Sequence, residues 1–385
     1  MSLRSVRISR FFVTLYVPDH TESANSLMIR KPRFLATGIG SMPFVDPDFA
    51  VEASLARFSE APFWPQLPKL GLNEQMEIQY SEGMPCVKID REKGRMYFDT
   101  SEDYSEEFAG FYERYMKAMD PVEGDGDCSA VAISPVFSKG IYAFETRLQN
   151  RRGKLPFVKV QTTGPCSFAL TIVDEKKRAI YYNEEFRDVV IKALAMKCRW
   201  QIQKFQPFAE QVICFVDEPI LSAFGSSTYV SVKREDVVAH LREMIDAIHA
   251  DHALVGIHCC GNTEWSIVID AGVDIVNFDA FGFGETIAMY PEAVRSHLQR
   301  GGALAWGVVP TSKAIREQTG EKLVSLLETL MEKLASRGID KQLIVDQSII
   351  TPSCGTGSME PVDAEKVFAL TDALSKTMRN RYGFS

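Results

Sequence analysis

Ala253-Leu254-Val255-Gly256-Ile257-His258-Cys259-Cys260-Gly261-Asn262 is the stretch whose reading organises the chain. Ala253 to Ile257 is an unbroken apolar run, the pattern of a buried strand, and it opens into a Gly/Asn turn. In extended backbone the side-chain period is two, so His258 and Cys260 point to one side and Cys259 to the other. An imidazole and a thiol on one side of a strand end make half of a tetrahedral zinc site.

Working outward, further ligand types stand at the ends of other strand-like runs. Val273-Asp274-Ile275-Val276-Asn277-Phe278 runs into Asp279. Leu343-Ile344-Val345 leads to Thr351-Pro352-Ser353-Cys354-Gly355. His258, Cys260, Asp279 and Cys354 are therefore the candidate ligands of a Zn2+ ion. Asp279 has an alternative reading, as a cap on the turn that follows it.

The same short apolar runs recur along the chain. Strands are expected at Phe34–Ile39, Phe63–Leu67, Phe157–Thr162, Val212–Val216, Ala253–Ile257, Asp274–Phe278, Ala303–Val308 and Gln342–Val345. Amphipathic stretches alternate with them: Pro47–Ser59, Asn183–Gln206, Ser231–His249, Thr286–Arg300, Gly320–Arg337 and Pro361–Arg379. Val237, Val238, Leu241, Met244, Ile245 and Ile248 show the helical spacing in one of these. Alternating strands and helices predict an α/β fold with a parallel sheet, and eight strands in this alternation predict a single (βα)8 TIM barrel spanning residues 31–385.

Two segments stand outside that repeat. Residues 85–154 form an insertion after the second strand. It opens with a hairpin, Cys86-Val87-Lys88-Ile89 and Met96-Tyr97-Phe98 around a Glu92-Lys93-Gly94 turn, followed by a helix from Tyr104 to Met119. Residues 1–30 form an N-terminal arm, with Arg4, Arg7 and Arg10 beside Phe11, Phe12 and Val13 and too short an apolar core for a signal peptide.

Composition narrows the function classes. The 385 residues carry a net charge of -8, which argues against a nucleic-acid surface. No apolar run of ~18 residues offers a membrane span. The eight cysteines are scattered, which is the pattern of a reduced, cytoplasmic protein and not of a disulfide framework. Cys166, Cys198 and Cys214 lie in apolar runs and are expected as small buried hydrophobes. His240, His249, His252 and His297 lie on or beside helices and are expected at the surface.

In the barrel fold, chemistry sits at the C-terminal ends of strands. Polar and glycine-rich clusters fall there: Gly38-Ile39-Gly40-Ser41-Met42-Pro43, Thr162-Thr163-Gly164-Pro165, Asp217-Glu218-Pro219, and Val309-Pro310-Thr311-Ser312. Asp217 and Glu218 are candidate substrate contacts; the alternative is that they satisfy backbone donors at a helix start.

These motifs, in this order, resemble the catalytic half of cobalamin-independent methionine synthase, within the superfamily shared with uroporphyrinogen decarboxylase. Ile39-Gly40-Ser41-Met42-Pro43 is similar to the family's Ile-Gly-Ser-Phe-Pro, Thr163-Gly164-Pro165 to its Thr-Gly-Pro, and Asp217-Glu218-Pro219 to its Asp-Glu-Pro. His258-x-Cys260 and Cys354-Gly355 resemble its zinc ligands. The resemblance runs from about Arg33 to the C-terminus. It implies a Zn2+ cofactor, homocysteine as the thiol held by the Ile39, Gly40 and Ser41 backbone, and Asp217 against its ammonium group. It implies methyl transfer to that thiol from a methyl-folate or a methyl-corrinoid, with a corrinoid protein as a possible partner.

The chain also departs from the pattern. Asp279 stands where the family has Glu, no histidine follows the seventh strand to donate a proton, and Gly357-Ser358 replace a basic residue. No residue is singled out as a general acid or base. Related single-barrel proteins take methyl groups from corrinoids or pass them to coenzyme M. A decarboxylase resembling uroporphyrinogen decarboxylase is a further alternative, though Gly38 to Phe44 has no arginine to clamp carboxylates. A non-enzymatic role, presenting a zinc-thiol site to a corrinoid protein, is a third.

Overall fold

The Val- and Ile-rich runs assemble into one parallel sheet. The computed structural model describes residues 4–8, 11–15, 31–119 and 126–384. Its strands are β1 (Arg4–Ile8), β2 (Phe11–Leu15), β3 (Leu35–Ala36), β4 (Val87–Asp90), β5 (Arg95–Phe98), β6 (Leu155–Thr163), β7 (Ala209–Asp217), β8 (Leu254–Cys259), β9 (Ile275–Phe278), β10 (Ala303–Val309) and β11 (Ser348–Pro352). Seven of them form the main sheet, in the order β3-β11-β10-β9-β8-β7-β6. Every pairing in it is parallel.

This corrects the expectation of a closed eight-stranded barrel: the sheet is curled but open. The run at 63–67 forms no strand. Its backbone pairs with the two sheet edges as isolated bridges, Ser41 to Gln66 and Phe63 to Lys159. Pro62, Pro65 and Pro68 punctuate this stretch, and a residue without an N–H cannot carry a ladder forward.

The last expected strand is also displaced. Residues 341–346 are helical, and the strand is β11, immediately beyond. Leu343-Ile344-Val345 suits either state by periodicity. Asp340 tips it toward helix, because its side chain caps the helix by accepting from the Gln342 N–H at 2.9 Å.

The helices are α1 (Pro47–Arg57), α2 (Met76–Ser81), α3 (Ser105–Met119), α4 (Lys139–Gln149), α5 (Pro165–Thr171), α6 (Glu184–Phe205), α7 (Arg234–Ala250), α8 (Trp265–Asp270), α9 (Ala280–Phe283), α10 (Pro291–Gln299), α11 (Gly320–Ala335), α12 (Lys341–Asp346) and α13 (Pro361–Tyr382). The helix expected at 286–300 is broken before Pro291, which starts α10 where its missing N–H costs nothing. No helix among the described residues is long and apolar enough to cross a membrane.

The strands of the main sheet are buried on both faces over most of their length. On β7, Val212, Cys214 and Val216 pack toward the helices, while Ile213 and Phe215 face the concave side. There they meet Ile39, Leu254, Ile275, Ala303, Ala305 and Ile349 in a separate apolar cluster. Each Ile, Leu or Phe of this cluster contributes about 1.5–3 kcal/mol on full burial.

The insertion contains the antiparallel β4–β5 hairpin and helices α3 and α4. Lys197 of α6 holds this region down. Its buried amine donates to Glu82 O at 2.6 Å and to Val131 O at 2.9 Å. In the N-terminal arm, β1 pairs with β2 as an antiparallel hairpin; the rest of residues 1–30 lies outside the described residues.

Candidate metal centre

Register builds the site. Asp217 of β7 pairs with His258 of β8, and His258 pairs with Asn277 of β9, giving one polar row above the apolar concave cluster. Cys260 follows β8 by one residue and points to the same side as His258. Cys259 points the other way and is fully buried. Cys354, two residues past β11, comes in from across the sheet. The ligand atoms of His258, Cys260 and Cys354 all lie within 4.8 Å of one another.

The loop that brings Cys354 in is fastened to the loop after β3. Thr356 donates to Ser41 O from both its N–H, at 2.9 Å, and its hydroxyl, at 3.0 Å. The Gly357 N–H donates to Ser41 Oγ at 3.3 Å. Gly355 approaches Ser41 closely: a Cβ there would lie 2.0 Å from Ser41 Oγ, which would have to turn away.

The donor set suits a soft divalent metal. His258 Nδ1 lies 2.5 Å from Asn277 Oδ1, while Nε2 is buried and has no hydrogen-bond partner. A buried nitrogen without a partner is costly, about 1–3 kcal/mol, unless something absent from the chain satisfies it. The two thiols are electronically unequal. The Cys354 thiol, then His258, hold Cys260 well below the usual thiol range, and Cys260 pushes Cys354 up. One imidazole and two sulfurs favour a soft or borderline metal over the hard cations. His258, Cys260 and Cys354 can thus hold a metal.

Asp279 is not brought into this group. Its carboxylate accepts from the Gly282 N–H at 2.8 Å and caps α9. The capping alternative is the one realised. Burial raises its carboxyl above the ordinary range.

Asp217 and Glu218 separate. Asp217 is buried, and its Oδ1 has no hydrogen-bond partner. Burial pushes its carboxyl up to about 6, against the pull of His258 and Lys159. Glu218 is 0% exposed, and both of its oxygens are occupied. Oε1 accepts from the Cys166 N–H at 2.9 Å; Oε2 accepts from the Ser167 N–H at 2.8 Å and the Ser167 hydroxyl at 2.6 Å. The expectation of Glu218 as a substrate contact is therefore corrected: it caps the start of α5.

The Ile39 side chain belongs to the concave apolar cluster. Gly40 sits at φ +149°, with the Gln161 side chain where a Cβ would point. Ser41 is half-buried against the Cys354 loop.

Two residues central to this region were missed by sequence reasoning. Lys159 on β6 is fully buried. Its amine donates to Ile39 O and, at 3.1 Å, to Gln161 Oε1, and it lies 4.8 Å from the Phe215 ring centroid. Burial pushes its pKa down to about 7. Asn277 is the other. Alternation in Phe157-Val158-Lys159-Val160-Gln161 and in Ile275-Val276-Asn277 marks both as polar residues on a buried strand face. His297, expected at the surface, is buried with Nε2 3.1 Å from Ala303 O.

No family model matches this chain, and no curated protein does. Among solved structures, a crystal structure from Coccidioides immitis described as a candidate fructose-1,6-biphosphate aldolase matches at 15% identity. It covers 63% of this chain and 84% of that chain, with a TM-score of 0.27. A likeness that slight carries no argument about fold or activity.

Proposed function

We propose that this chain is a zinc-dependent S-methyltransferase that moves a methyl group onto a thiol, homocysteine giving methionine, from a methyl-corrinoid or methyl-folate donor. The observation that carries the reading is the meeting of His258, Cys260 and Cys354 beside the C-terminal ends of β8 and β11, with His258 Nε2 left without a hydrogen-bond partner.

When bound, zinc lowers the pKa of an incoming thiol so that it is present as the thiolate at neutral pH. Three protein ligands, as opposed to four, leave room for that thiol. Asp217 offers its unpartnered Oδ1 to the substrate ammonium from the strand beside His258. The Ile39–Ser41 loop, anchored through Ile39 O by Lys159 and through Ser41 by the Cys354 loop, holds the substrate carboxylate.

In the transfer, the thiolate sulfur forms the S–CH3 bond as the donor–CH3 bond breaks and the donor keeps the electron pair. A folate nitrogen needs a proton to leave; a corrinoid cobalt does not. β10 ends in Val309-Pro310-Thr311-Ser312 without a histidine, and the Thr311 hydroxyl is 3.1 Å from that of Ser353. That favours the corrinoid donor. The eight cysteines, six of them buried and none in a disulfide, suit a reducing compartment such as the cytoplasm.

Metal analysis followed by thiol-dependent demethylation of methylcobalamin tests the reading, with wild type compared to Cys354→Ser. Stoichiometric zinc and homocysteine-dependent turnover are expected in the wild type, and both fall in the variant. Wild-type protein that binds no zinc, or that turns over neither donor with any thiol, overturns it.

A further inference from the structure

We propose that Asn277 is a positioning residue that locks the His258 imidazole in the tautomer with its proton on Nδ1, so that Nε2 presents its lone pair to the two thiols. The tautomer stands on the hydrogen-bond network alone. Its consequence for zinc rests on the metal reading above.

Asn277 is fully buried beside His258 in the β8–β9 register. A buried amide needs partners at both ends, and the two ends differ: nitrogen only donates, oxygen only accepts. The Nδ2 group lies 2.9 Å from Ala305 O and 2.8 Å from Thr351 Oγ1. Ala305 O cannot donate, so the nitrogen must face β10 and β11, and the oxygen is left facing His258. An acceptor 2.5 Å from Nδ1 requires the proton to be on Nδ1. In the neutral imidazole, the form that binds a metal, the one N–H is then on Nδ1 and the lone pair on Nε2, the buried nitrogen that lacks a hydrogen-bond partner.

The residue type matters. A carboxylate at 277 accepts from Nδ1–H equally well, but it sets an acceptor against Ala305 O. An apolar side chain frees the imidazole to rotate or exchange its proton. Asn satisfies both neighbours at once. Through Thr351, three residues before Cys354, it also ties the His258 ring to the strand that delivers the second thiol. Partners behind a histidine ligand set its orientation and basicity, and their loss costs about 10–100-fold in metal affinity.

The test uses the full chain labelled with 15N-histidine, with the His258 resonances assigned by their disappearance in His258→Gln. Two-bond proton–nitrogen spectra of metal-free protein, recorded at a pH high enough that the imidazole is neutral, report the tautomer directly. The expected result is Nδ1–H at His258 in wild type and in Asn277→Asp, and a shift toward Nε2–H in Asn277→Leu. Zinc affinity, measured by competition with a chromogenic chelator, is expected to fall about 10–100-fold in Asn277→Leu and less in Asn277→Asp. An Nε2–H tautomer in metal-free wild type overturns the proposal, and so does a folded Asn277→Leu with unchanged tautomer and zinc affinity. If Asn277→Leu does not fold, the wild-type and Asn277→Asp spectra decide. Wild-type protein with the Nδ1–H tautomer but no zinc binding sinks the methyltransferase reading and leaves the positioning role intact.

Discussion

Gly164 and Glu218 compete for the same space: a Cβ at Gly164 would lie 2.2 Å from Glu218 Cδ and 2.3 Å from its Oε1. The glycine lets the carboxylate reach the first N–H groups of α5, which otherwise have no partner. Gly164→Ala must expel Glu218 or move the helix, and a loss of about 3 kcal/mol or more is expected. Glu218→Gln sets its NH2 against backbone donors and is expected to cost about 1–3 kcal/mol. Thermal melting checks both. Unchanged stability in Glu218→Gln, together with a raised KM for the thiol, would return Glu218 to the substrate.

Asp279 makes the opposite prediction to that of a ligand. Its carboxylate caps α9 through Gly282, outside the His258–Cys260–Cys354 group. Asp279→Ala is expected to cost about 1 kcal/mol of stability and to leave the zinc content unchanged. Metal loss in a folded Asp279→Ala protein would show that the carboxylate swings from the cap to the ion.

Lys159 sets a pH dependence of stability. Burial lowers its pKa from 10.5 to about 7, so in that window the folded chain binds fewer protons than the unfolded chain. Its contribution to stability is complete above about 10.5 and is lost as pH falls toward 7, with a limiting slope of about 1.4 kcal/mol per pH unit. Lys159→Met lacks that slope. Subtracting the two denaturation profiles between pH 7.5 and 9.5 isolates it; a flat difference would mean the amine titrates normally in the fold.

Gly307 controls the approach of the Cys354 loop. A Cβ there would meet backbone on every side: Phe278 O at 2.5 Å, Ser353 Cα at 2.9 Å and Pro352 O at 3.0 Å. The β10–β11 register also shifts between Gly307 and Val309. Gly307→Ala is therefore expected to push the end of β11 outward, weakening zinc binding by at least about tenfold and lowering the melting temperature. Unaltered zinc affinity by chelator competition would show that the loop yields without moving the sulfur.

Much of the site was legible because strand periodicity is a local property. Two-residue spacing alone puts His258 and Cys260 on one side and Cys259 in the packing, and the structure agrees. The hairpin at 87–98 followed in the same way from its turn. Other readings failed where a competing local interaction won. Three prolines left 63–67 without a ladder, and Asp340 turned 341–346 into helix. Asp279 and Glu218 each had a capping alternative, and nothing in the sequence states how far a carboxylate stands from the nearest orphan N–H.

By itself, then, the amino-acid order determined a parallel α/β sheet, the face on which each strand residue lies, and a supply of nitrogen and sulfur donors at strand ends. Only the tertiary structure decided which of those donors meet, whether the sheet closes, and that Asn277 stands behind His258. The physical reason is range. Side-chain alternation follows from backbone geometry within one strand, whereas convergence depends on register between strands and on contacts such as Gly355 against Ser41, made by residues far apart along the chain.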